Sequence, residues 1–445
     1  MADESRKRDS IEGGPSQDGV DRRGFLKCMA WAGTGLVWTL SGGIPTSRLF
    51  GATGHEGHHD AGFSFVQISD SHIGFNKGAN PDVTATLQAA IDKINSLPAV
   101  PDLIIHTGDL SQISKPGEFD TVDQVLRGAK AKQVFYVPGE HDFATDNGQQ
   151  FLERYGKGTK GAGWQSFDHK GVHFIGLNNV ANLKAGGMGS LGADQLEWLE
   201  DDVKGLSAST PIVVFAHIPL WAVYPEWGWG TQDSAQALAY LKRFGSVTVL
   251  NGHIHQIMQK VEGNVSFHTA MATAFPQPVP GTAKSAGPLL VPADELRRVL
   301  GITNVNYMAG GHHLAVVDAT LAGTPAEESI AILKGAAATA ASKASSQTPQ
   351  AQSAPASGDA SSSEVVQVSI DNFAFTPQTL RIKKGTGVAW TNHDDIPHTV
   401  DHDDHIFASS VLDTNQKFQY AFKDPGKFPY YCRLHPKMTG TVVVE

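Results

Sequence analysis

Acidic residues and histidines recur in short motifs that could bind a pair of metal ions. In chain order these motifs are Asp70-Ser71-His72, Gly108-Asp109, Gly139-Glu140-His141, the lone His217, and Gly252-His253-Ile254-His255. Mixed carboxylate and imidazole ligands suit Fe, Mn, Zn or Co better than Ca or Mg. Two such cations, about 3.5 to 4 Å apart, lower the pKa of a bridging water and hold the oxygens of a phosphate ester. These residue types therefore favour hydrolysis of a phosphate ester by a metal-bridging hydroxide.

A second set of potential metal ligands lies near the end of the chain. Cys432, His435 and Met438 follow one another in a C-x-x-H-x-x-M pattern, and His398 lies upstream of them. One thiolate, two imidazoles and a weak thioether form the ligand set of a type 1 (blue) copper centre. The alternative is a cysteine and a methionine that simply pack in a hydrophobic core, but the spacing is specific. We therefore expect this segment to bind one copper ion.

Short β-rich runs precede the acidic and histidine motifs of the first set. They span residues 63–68, 103–105, 133–137, 212–215 and 247–250. Helical apolar spacing fills the intervals between the first three, for example at Val83, Leu87, Ile91 and Ile94. Alternating strands and helices predict an α/β domain, and ligands of open α/β sheets lie at the carboxyl ends of the strands. The five motifs are thus expected to converge on one place.

This ordered set of motifs resembles the calcineurin-like metallophosphoesterases, whose pattern is D-x-H, G-D, G-N-H, a lone H and G-H-x-H. The resemblance covers residues 62 to about 332 and implies an α/β/β/α sandwich with two metal positions. By the resemblance, the first metal is held by Asp70, His72, Asp109 and His255, and the second by Asp109 as the bridge, Glu140, His217 and His253. His141 is then left as the proton donor or charge stabiliser.

The third motif departs from the family pattern, because Glu140 stands where the family has asparagine. A carboxylate there is expected to tighten cation binding but to reduce Lewis acidity and to repel an incoming phosphate. Two functions from different classes follow. The leading one is an enzyme that hydrolyses phosphodiesters or phosphomonoesters. The alternative is a metal-binding scaffold with little catalysis, whose work is copper electron transfer or copper handling.

The carboxyl-terminal part shows short alternating strands from Val365 onward, separated by Gly, Pro and Asp, which predict an antiparallel β-sandwich. It resembles the plastocyanin and amicyanin class of cupredoxins over residues 363–445. The resemblance implies an all-β Greek-key sandwich, with His398, Cys432 and His435 as equatorial copper ligands and Met438 as the axial ligand. It also implies a redox partner protein.

The amino terminus has the order of an export signal. Arg22-Arg23 and then Phe25-Leu26-Lys27 precede an apolar run from Cys28 to Leu40, which is too short to span a bilayer. This order resembles the twin-arginine signal, with a disordered basic tail as the alternative. We expect residues 1–53 to be a signal peptide and lead-in, and the mature protein to be periplasmic without a stable membrane span.

Composition limits the remaining organisation. The formal net charge is −10, and no basic cluster follows the leader, which argues against a nucleic-acid-binding scaffold and favours a small-molecule substrate. Cys28 and Cys432 are the only cysteines, so there is no disulfide framework. Residues 333–362 are rich in Ala, Ser, Gln and Pro and are expected to form a flexible linker between domains 62–332 and 363–445.

Overall fold

The computed structural model describes residues 35–41, 44–50, 62–308, 314–346 and 365–445. The chain divides into two compact units, Met1–His59 and Asp60–Glu445. In the first unit, β1 (Gly35–Ser41) pairs with β2 (Ile44–Phe50) as an antiparallel hairpin. The arginine pair of the predicted signal lies outside the described residues. Among the residues that are described, no helix has the length and apolar character that crossing a membrane requires.

The second unit begins with a large domain, residues 62–346, in which strands and helices alternate. Its elements are β3 (Phe63–Ile68), α1 (Val83–Asn95), β4 (Leu103–His106), α2 (Pro116–Leu126), β5 (Gln133–Tyr136), α3 (Gln149–Tyr155), β6 (Gln165–His169), β7 (Val172–Leu177), α4 (Ala193–Lys204), β8 (Ile212–Ala216), α5 (Ser234–Leu241), β9 (Val247–Asn251), β10 (Gln259–Glu262), β11 (Val265–Thr269), β12 (Gly301–Tyr307), β13 (Leu314–Thr320) and α6 (Ala326–Ser346). Short 3-10 turns occupy Glu140–Phe143, Pro225–Trp227 and Leu296–Arg298.

Two mixed sheets of the large domain pack face to face. One has the order β13-β12-β3-β4-β5 and the other β10-β11-β9-β8-β7-β6. Buried side chains such as Phe65, Ile105 and Phe215 fill the space between the sheets. Helices α1 and α2 cover the outer face of the first sheet, and α4 and α5 cover that of the second. The predicted α/β/β/α sandwich is confirmed.

Local sequence explains why the helices form where they do. Val83, Leu87, Ile91 and Ile94 of α1 are all buried, as their helical spacing predicts. The Asp82 side chain accepts a hydrogen bond from the Ala85 N–H, at 2.9 Å, and so caps the first turn. Amphipathic spacing and a cap together place α1 against the sheet, which fixes the loop that follows β3.

The small domain, residues 365–445, is a β-sandwich. Its strands are β14 (Val365–Asp371), β15 (Ala374–Thr376), β16 (Thr379–Ile382), β17 (Gly387–Asn392), β18 (Asp401–His402), β19 (Lys417–Ala421), β20 (Gly426–Tyr431) and β21 (Thr439–Val444). They form two sheets, β15-β14-β17-β19 and β16-β21-β20-β18, around buried Trp390, Phe422 and Val442. The all-β sandwich is confirmed, but its sheets are mixed, because β14–β17 and β16–β21 pair in parallel.

The segment expected to be a flexible linker is partly helical. Helix α6 extends to Ser346, so residues 333–346 of the predicted linker belong to it, while residues 347–364 lie outside the described part. Alanine, which dominates this stretch, has the highest intrinsic helix propensity, and composition alone did not distinguish a helix from a tether. Ala337 is buried, which shows that the helix also packs.

The small domain docks against the large one within the second unit. Ile396 of the small domain is 4% exposed and lies in the core cluster beside α1 and α2, whereas Ala144 of the large domain lies in the small-domain core. The Gly186 N–H donates to the Pro436 carbonyl at 2.6 Å, and Lys77 pairs with Asp413 at 3.4 Å. Apolar and polar contacts therefore fix the two domains together.

Candidate metal centres

The loops after β3, β4, β5, β8 and β9 bring the first set of predicted ligands together in the large domain. Every one of these residues belongs to at least one group whose potential ligand atoms lie within 4.8 Å of one another. The groups are Asp70, His72 and His255; Asp70, Asp109 and His217; Glu140, His217 and His253; and His72, Asp109 and His141. Because the groups overlap, they describe one elongated cluster with Asp109 near its middle.

Distances within the cluster separate two ends. At one end His255 Nε2 lies 3.2 Å from Asp70 Oδ1 and 3.2 Å from His72 Nε2. At the other end Glu140 lies 3.0 Å from His217 Nε2 and 2.9 Å from His253 Nδ1. Asp109 Oδ2 is 3.6 Å from His72 and 3.3 Å from His217. Asp109 can therefore contribute to a cation at either end.

Hydrogen bonds from Nδ1 orient three of the histidines. His141, His217 and His255 each place Nδ1 within 2.7 Å of a backbone carbonyl, namely those of Gln112, Thr107 and Phe275. A carbonyl oxygen only accepts, so Nδ1 must carry a proton, and in the neutral form of each ring the lone pair is on Nε2. This is the arrangement by which a second partner fixes the tautomer of a metal-binding histidine.

The backbone at this cluster is held in a sparsely populated conformation. Asp70, His72, Asp109, His253 and His255 all have φ between 41° and 70°, the left-handed region that side-chain-bearing residues rarely adopt. Such strain persists where surrounding structure imposes it, and it concentrates at functional sites. The tight turns at the strand ends therefore serve to direct these side chains toward one another.

Electrostatics within the cluster favour charged carboxylates. Burial alone would raise the pKa of Glu140, but His253 and His217 outweigh burial and hold that pKa well below its ordinary value. Burial acts in the opposite sense on His217, whose pKa is nevertheless raised by Asp109 and Glu140. Burial also lowers the pKa of His72 to about 3, so that this ring is neutral and free to bind a cation.

The donor atoms at the Glu140 end fit a cation. Glu140 Oε2 and His217 Nε2 are buried and have no hydrogen-bond partner in the described structure, although they are only 3.0 Å apart. Buried polar atoms without a partner are costly, and a shared cation would satisfy both. Carboxylate and imidazole donors together suit Fe, Mn or Zn.

Sequence reasoning missed Asp142, which supports the site from behind. Its carboxylate accepts backbone N–H bonds from Leu110, Ser111 and Gly139 at 2.9–3.1 Å. Burial and the nearby Asp109 raise the pKa of Asp142 to about 7. Asp142 therefore links the loop after β4 to the loop after β5. In the sequence, only its position directly after His141 indicated that it belongs to the site.

The second predicted ligand set also converges, in the small domain. Cys432 Sγ lies 3.7 Å from His398 Nδ1 and 3.6 Å from His435 Nδ1, and the two ring nitrogens are 3.2 Å apart. Met438 is buried in the same core cluster as Cys432. The Thr399 N–H contacts the sulfur at 3.3 Å, and Asp394 contacts His398 Nε2 at 2.8 Å. A compact N₂S site with a neighbouring thioether fits copper.

The two clusters face each other across one cavity of about 170 Å³. The rings of His141 and His435 are 6.1 Å apart between centroids. Residues of both domains line the cavity, including His72, His253, Phe373 and Lys437. This proximity was not predictable from the sequence, since about three hundred residues separate the two histidines.

Comparisons with known proteins agree with this division. Residues 63–257 match the family model of the calcineurin-like phosphoesterases, and residues 332–444 match that of the cupredoxin-like domains. A 3',5'-cyclic-nucleotide phosphodiesterase of Nostoc sp. is 26% identical over 218 residues, which are 48% of this chain and 79% of that protein. Amicyanin-alpha of Methylorubrum extorquens is 36% identical over 84 residues, which are 18% of this chain and 71% of that protein.

Proposed function

Because the chain belongs to the calcineurin-like phosphoesterases in its large domain and to the cupredoxins in its small one, we propose that it hydrolyses phosphodiesters at a dinuclear metal site beside a type 1 copper site. The observation that carries this proposal is the position of Asp109, within 3.6 Å of a histidine at each end of one buried ligand cluster. A scattered set of surface residues would not produce that arrangement.

We assign the ligands by the two ends of the cluster. Asp70, His72 and His255 hold one cation, Glu140, His217 and His253 hold the other, and Asp109 contacts both. Iron, manganese or zinc suits these donors. When bound, such a pair supplies Lewis acidity toward the phosphoryl oxygens and a nucleophile at neutral pH.

His141 is the residue that we expect to move a proton. Its Nδ1 is held by the Gln112 carbonyl at 2.7 Å, and its backbone N–H donates to Asp109 Oδ1 at 2.9 Å, so the ring has one fixed orientation. The Nε2 edge is then directed toward the cluster, where a leaving alkoxide would need a proton. General acid catalysis of this kind contributes about 10²- to 10⁴-fold to rate.

A phosphodiester is favoured over a monoester by charge. A diester carries one negative charge and a monoester up to two, and Glu140 adds a further carboxylate to the cleft. Repulsion therefore costs a monoester more than a diester. The name of the Nostoc relative, a cyclic-nucleotide phosphodiesterase, supports the same choice.

The small domain and the leader extend the proposal to location and partners. Copper bound by His398, Cys432, His435 and Met438 would exchange electrons with a redox partner protein. The domain limits that we propose are 1–53 for the export signal, 62–346 for the phosphoesterase domain with its carboxyl-terminal helix, and 363–445 for the copper domain. Export by the twin-arginine route would place the protein in the periplasm.

The proposal is tested by metal analysis and hydrolysis on the full mature chain. Protein loaded with manganese, iron or zinc should bind two such ions beside copper and hydrolyse bis(p-nitrophenyl) phosphate faster than p-nitrophenyl phosphate. Asp109→Asn should lose one or both ions and the activity together. Two tightly bound ions with no turnover of either ester, but reversible copper redox chemistry, would establish the alternative in which Glu140, paired with two histidines, leaves a scaffold without catalysis.

A further inference from the structure

The loop Cys432–Met438, called here the copper loop, serves both clusters. Cys432, His435 and Met438 are its copper ligands, and the four residues from Leu434 to Lys437 line the cavity above the large-domain cluster. The loop is closed on itself, because the Cys432 N–H donates to the Met438 carbonyl and the Met438 N–H donates to the His435 carbonyl. One rigid segment thus presents the copper site to the phosphoesterase cleft.

Contacts hold the copper loop against the large domain. The Gly186 N–H donates to the Pro436 carbonyl at 2.6 Å, next to the cavity. The Phe373 ring, in the same domain as the loop, packs edge-on against His435 with 4.6 Å between centroids, and Phe373 also packs against the core cluster of the large domain. Buried Ile396 anchors the same end of the sandwich in the core of the large domain. The distance between the copper site and the cleft is therefore fixed by the fold.

His435 is the residue where the two sites meet. Its Nδ1 faces Cys432 Sγ at 3.6 Å, while the ring lies 6.1 Å from the ring of His141. The charge of the copper site is therefore separated from the buried His141 of the cleft by only the width of the His435 ring. Unit charges separated by such distances interact strongly when the effective dielectric constant is low.

We propose that the copper loop makes the anion affinity of the phosphoesterase cleft depend on the oxidation state of the copper. With one thiolate, two neutral imidazoles and a thioether, the site carries a charge of +1 as Cu(II) and 0 as Cu(I). A one-electron donor that reduces Cu(II) therefore removes one positive charge from the cavity wall, and no ligand bond needs to break. The oxidised protein binds phosphate anions more tightly than the reduced protein.

Linkage makes the effect reciprocal. If Cu(II) strengthens phosphate binding, bound phosphate must stabilise Cu(II) by the same free energy and lower the reduction potential of the copper. Couplings of this kind are typically fivefold or more. For a one-electron couple, a fivefold difference in affinity corresponds to about 40 mV, since tenfold corresponds to about 59 mV. The phosphoesterase would therefore respond to the redox state of its surroundings.

The test measures binding of inorganic phosphate to full-length mature protein with zinc in the large domain and copper in the small one. Zinc has no redox chemistry of its own, so only copper changes state. Phosphate affinity is measured by calorimetry after oxidation with ferricyanide and after reduction with ascorbate, with each reagent removed. We expect binding that is about fivefold or more tighter in the oxidised protein, and a copper potential about 40 mV lower at saturating phosphate.

Variants separate the copper loop from other causes. Cys432→Ser should remove the difference between the oxidised and reduced samples. Lys437→Ala should weaken phosphate binding in both states, because Lys437 lines the cavity. The matched Lys427→Ala, at an exposed position of β20 outside the cavity, should change nothing.

The proposal has two ways to be wrong. Equal phosphate affinity in both oxidation states, or a difference that persists in Cys432→Ser, overturns it and leaves the proposed phosphodiesterase function intact. Because the inference rests on that function, it also falls if phosphate fails to bind in either state and no ester is hydrolysed, an outcome that refutes both.

Discussion

The chemistry of the large-domain site depends on two adjacent residues with different tasks. Glu140 reaches His217 and His253 and is therefore one of the proposed ligands. The His141 ring is held by the Gln112 carbonyl, and the His141 backbone N–H donates to the Asp109 carboxylate. The residue types and spacing were sufficient to nominate both side chains. Sequence could not show how Asp142 holds their loop, because that depends on three backbone N–H groups brought together by the turns.

Replacing His141 should separate catalysis from metal binding. His141→Asn removes the proposed proton donor, and turnover of the diester should fall about 10²- to 10⁴-fold. Metal content, measured on the purified protein by mass spectrometry, should stay within error of the unmodified protein. Loss of an ion from this variant would show that His141 is a ligand, as its place in one of the clusters also allows.

Replacing Glu140 should change the site in the opposite sense. Glu140→Asn removes a negative charge between His217 and His253, so the second ion should bind more weakly. At saturating metal, turnover per loaded site should rise for two reasons. A neutral amide reduces the Lewis acidity of the bound ion less than a carboxylate does, and it does not repel the anionic substrate. A variant that is inactive even when both ions are bound would contradict this account.

Close packing between the loops at the strand ends positions the side chains of the site. A Cβ at Gly139 would collide with the Asp109 carboxylate, which accepts the His141 N–H just beyond it. Glycine is needed here because of this close approach of two loops. The spacing of apolar residues predicted these strands and helices closely, because the buried face of each element repeats with the period of that element.

Gly139→Ala should therefore disable the site through its loops. Steric displacement of Asp109 should lower metal content and should destabilise the fold by about 1–3 kcal/mol, measured by urea unfolding. Gly117→Ala in α2 is the matched control, because nothing lies within 4 Å of the added methyl group. The control should be neutral or stabilising by up to about 1 kcal/mol. Equal metal content and equal stability of the two variants would show that the close approach of Gly139 to Asp109 does not matter for the site.

A histidine in β7, one strand in from the edge of the second sheet, gives the large domain a measurable pH dependence. Burial alone would lower the pKa of His173, but Asp202 and Asp168, at 3.0 and 2.8 Å, raise it above its ordinary 6.5. A raised pKa in the folded state means that this contribution is complete below pH 6.5 and is lost as pH rises through the folded pKa.

The corresponding variant is His173→Gln. Relative to it, the unmodified protein should be more stable by about 1 kcal/mol near pH 5.5, and the difference should shrink by pH 8.5. Urea unfolding of both proteins at the two pH values, with the same metal content, measures this. A difference that grows with pH would show that the ion pairs are not responsible.

The whole molecule is more tightly joined than its sequence indicates. Two domains and their folds were predictable, because each has its own motifs and its own period of apolar residues. Their docking was not, because Ile396 and its neighbours in the large-domain core meet only through tertiary structure. The helix α6 differs from the expected linker for a related reason, since alanine-rich sequence suits both a tether and a packed helix.

Ile396→Asp should undock the copper domain without unfolding it. A buried carboxylate without a partner is costly enough to separate the two surfaces. Small-angle scattering should show a larger radius of gyration, while the visible copper band should persist because all four proposed copper ligands lie in the small domain. Ile406→Asp, at a position that is 48% exposed, is the matched control and should leave both unchanged. An unaltered radius of gyration for Ile396→Asp would mean that other contacts are sufficient to keep the two domains docked.

The exchange of side chains between the two cores, Ile396 in one direction and Ala144 in the other, has a practical result. A shortened chain that stops before residue 365 would lack Ile396, which belongs to the core cluster of the large domain and lines the cavity between the domains. In such a shortened chain, apolar side chains of the large domain would be exposed to water. The activity measured on it would then be that of a protein with an altered surface beside the cleft. Comparing the intact chain with a full-length point variant avoids that error.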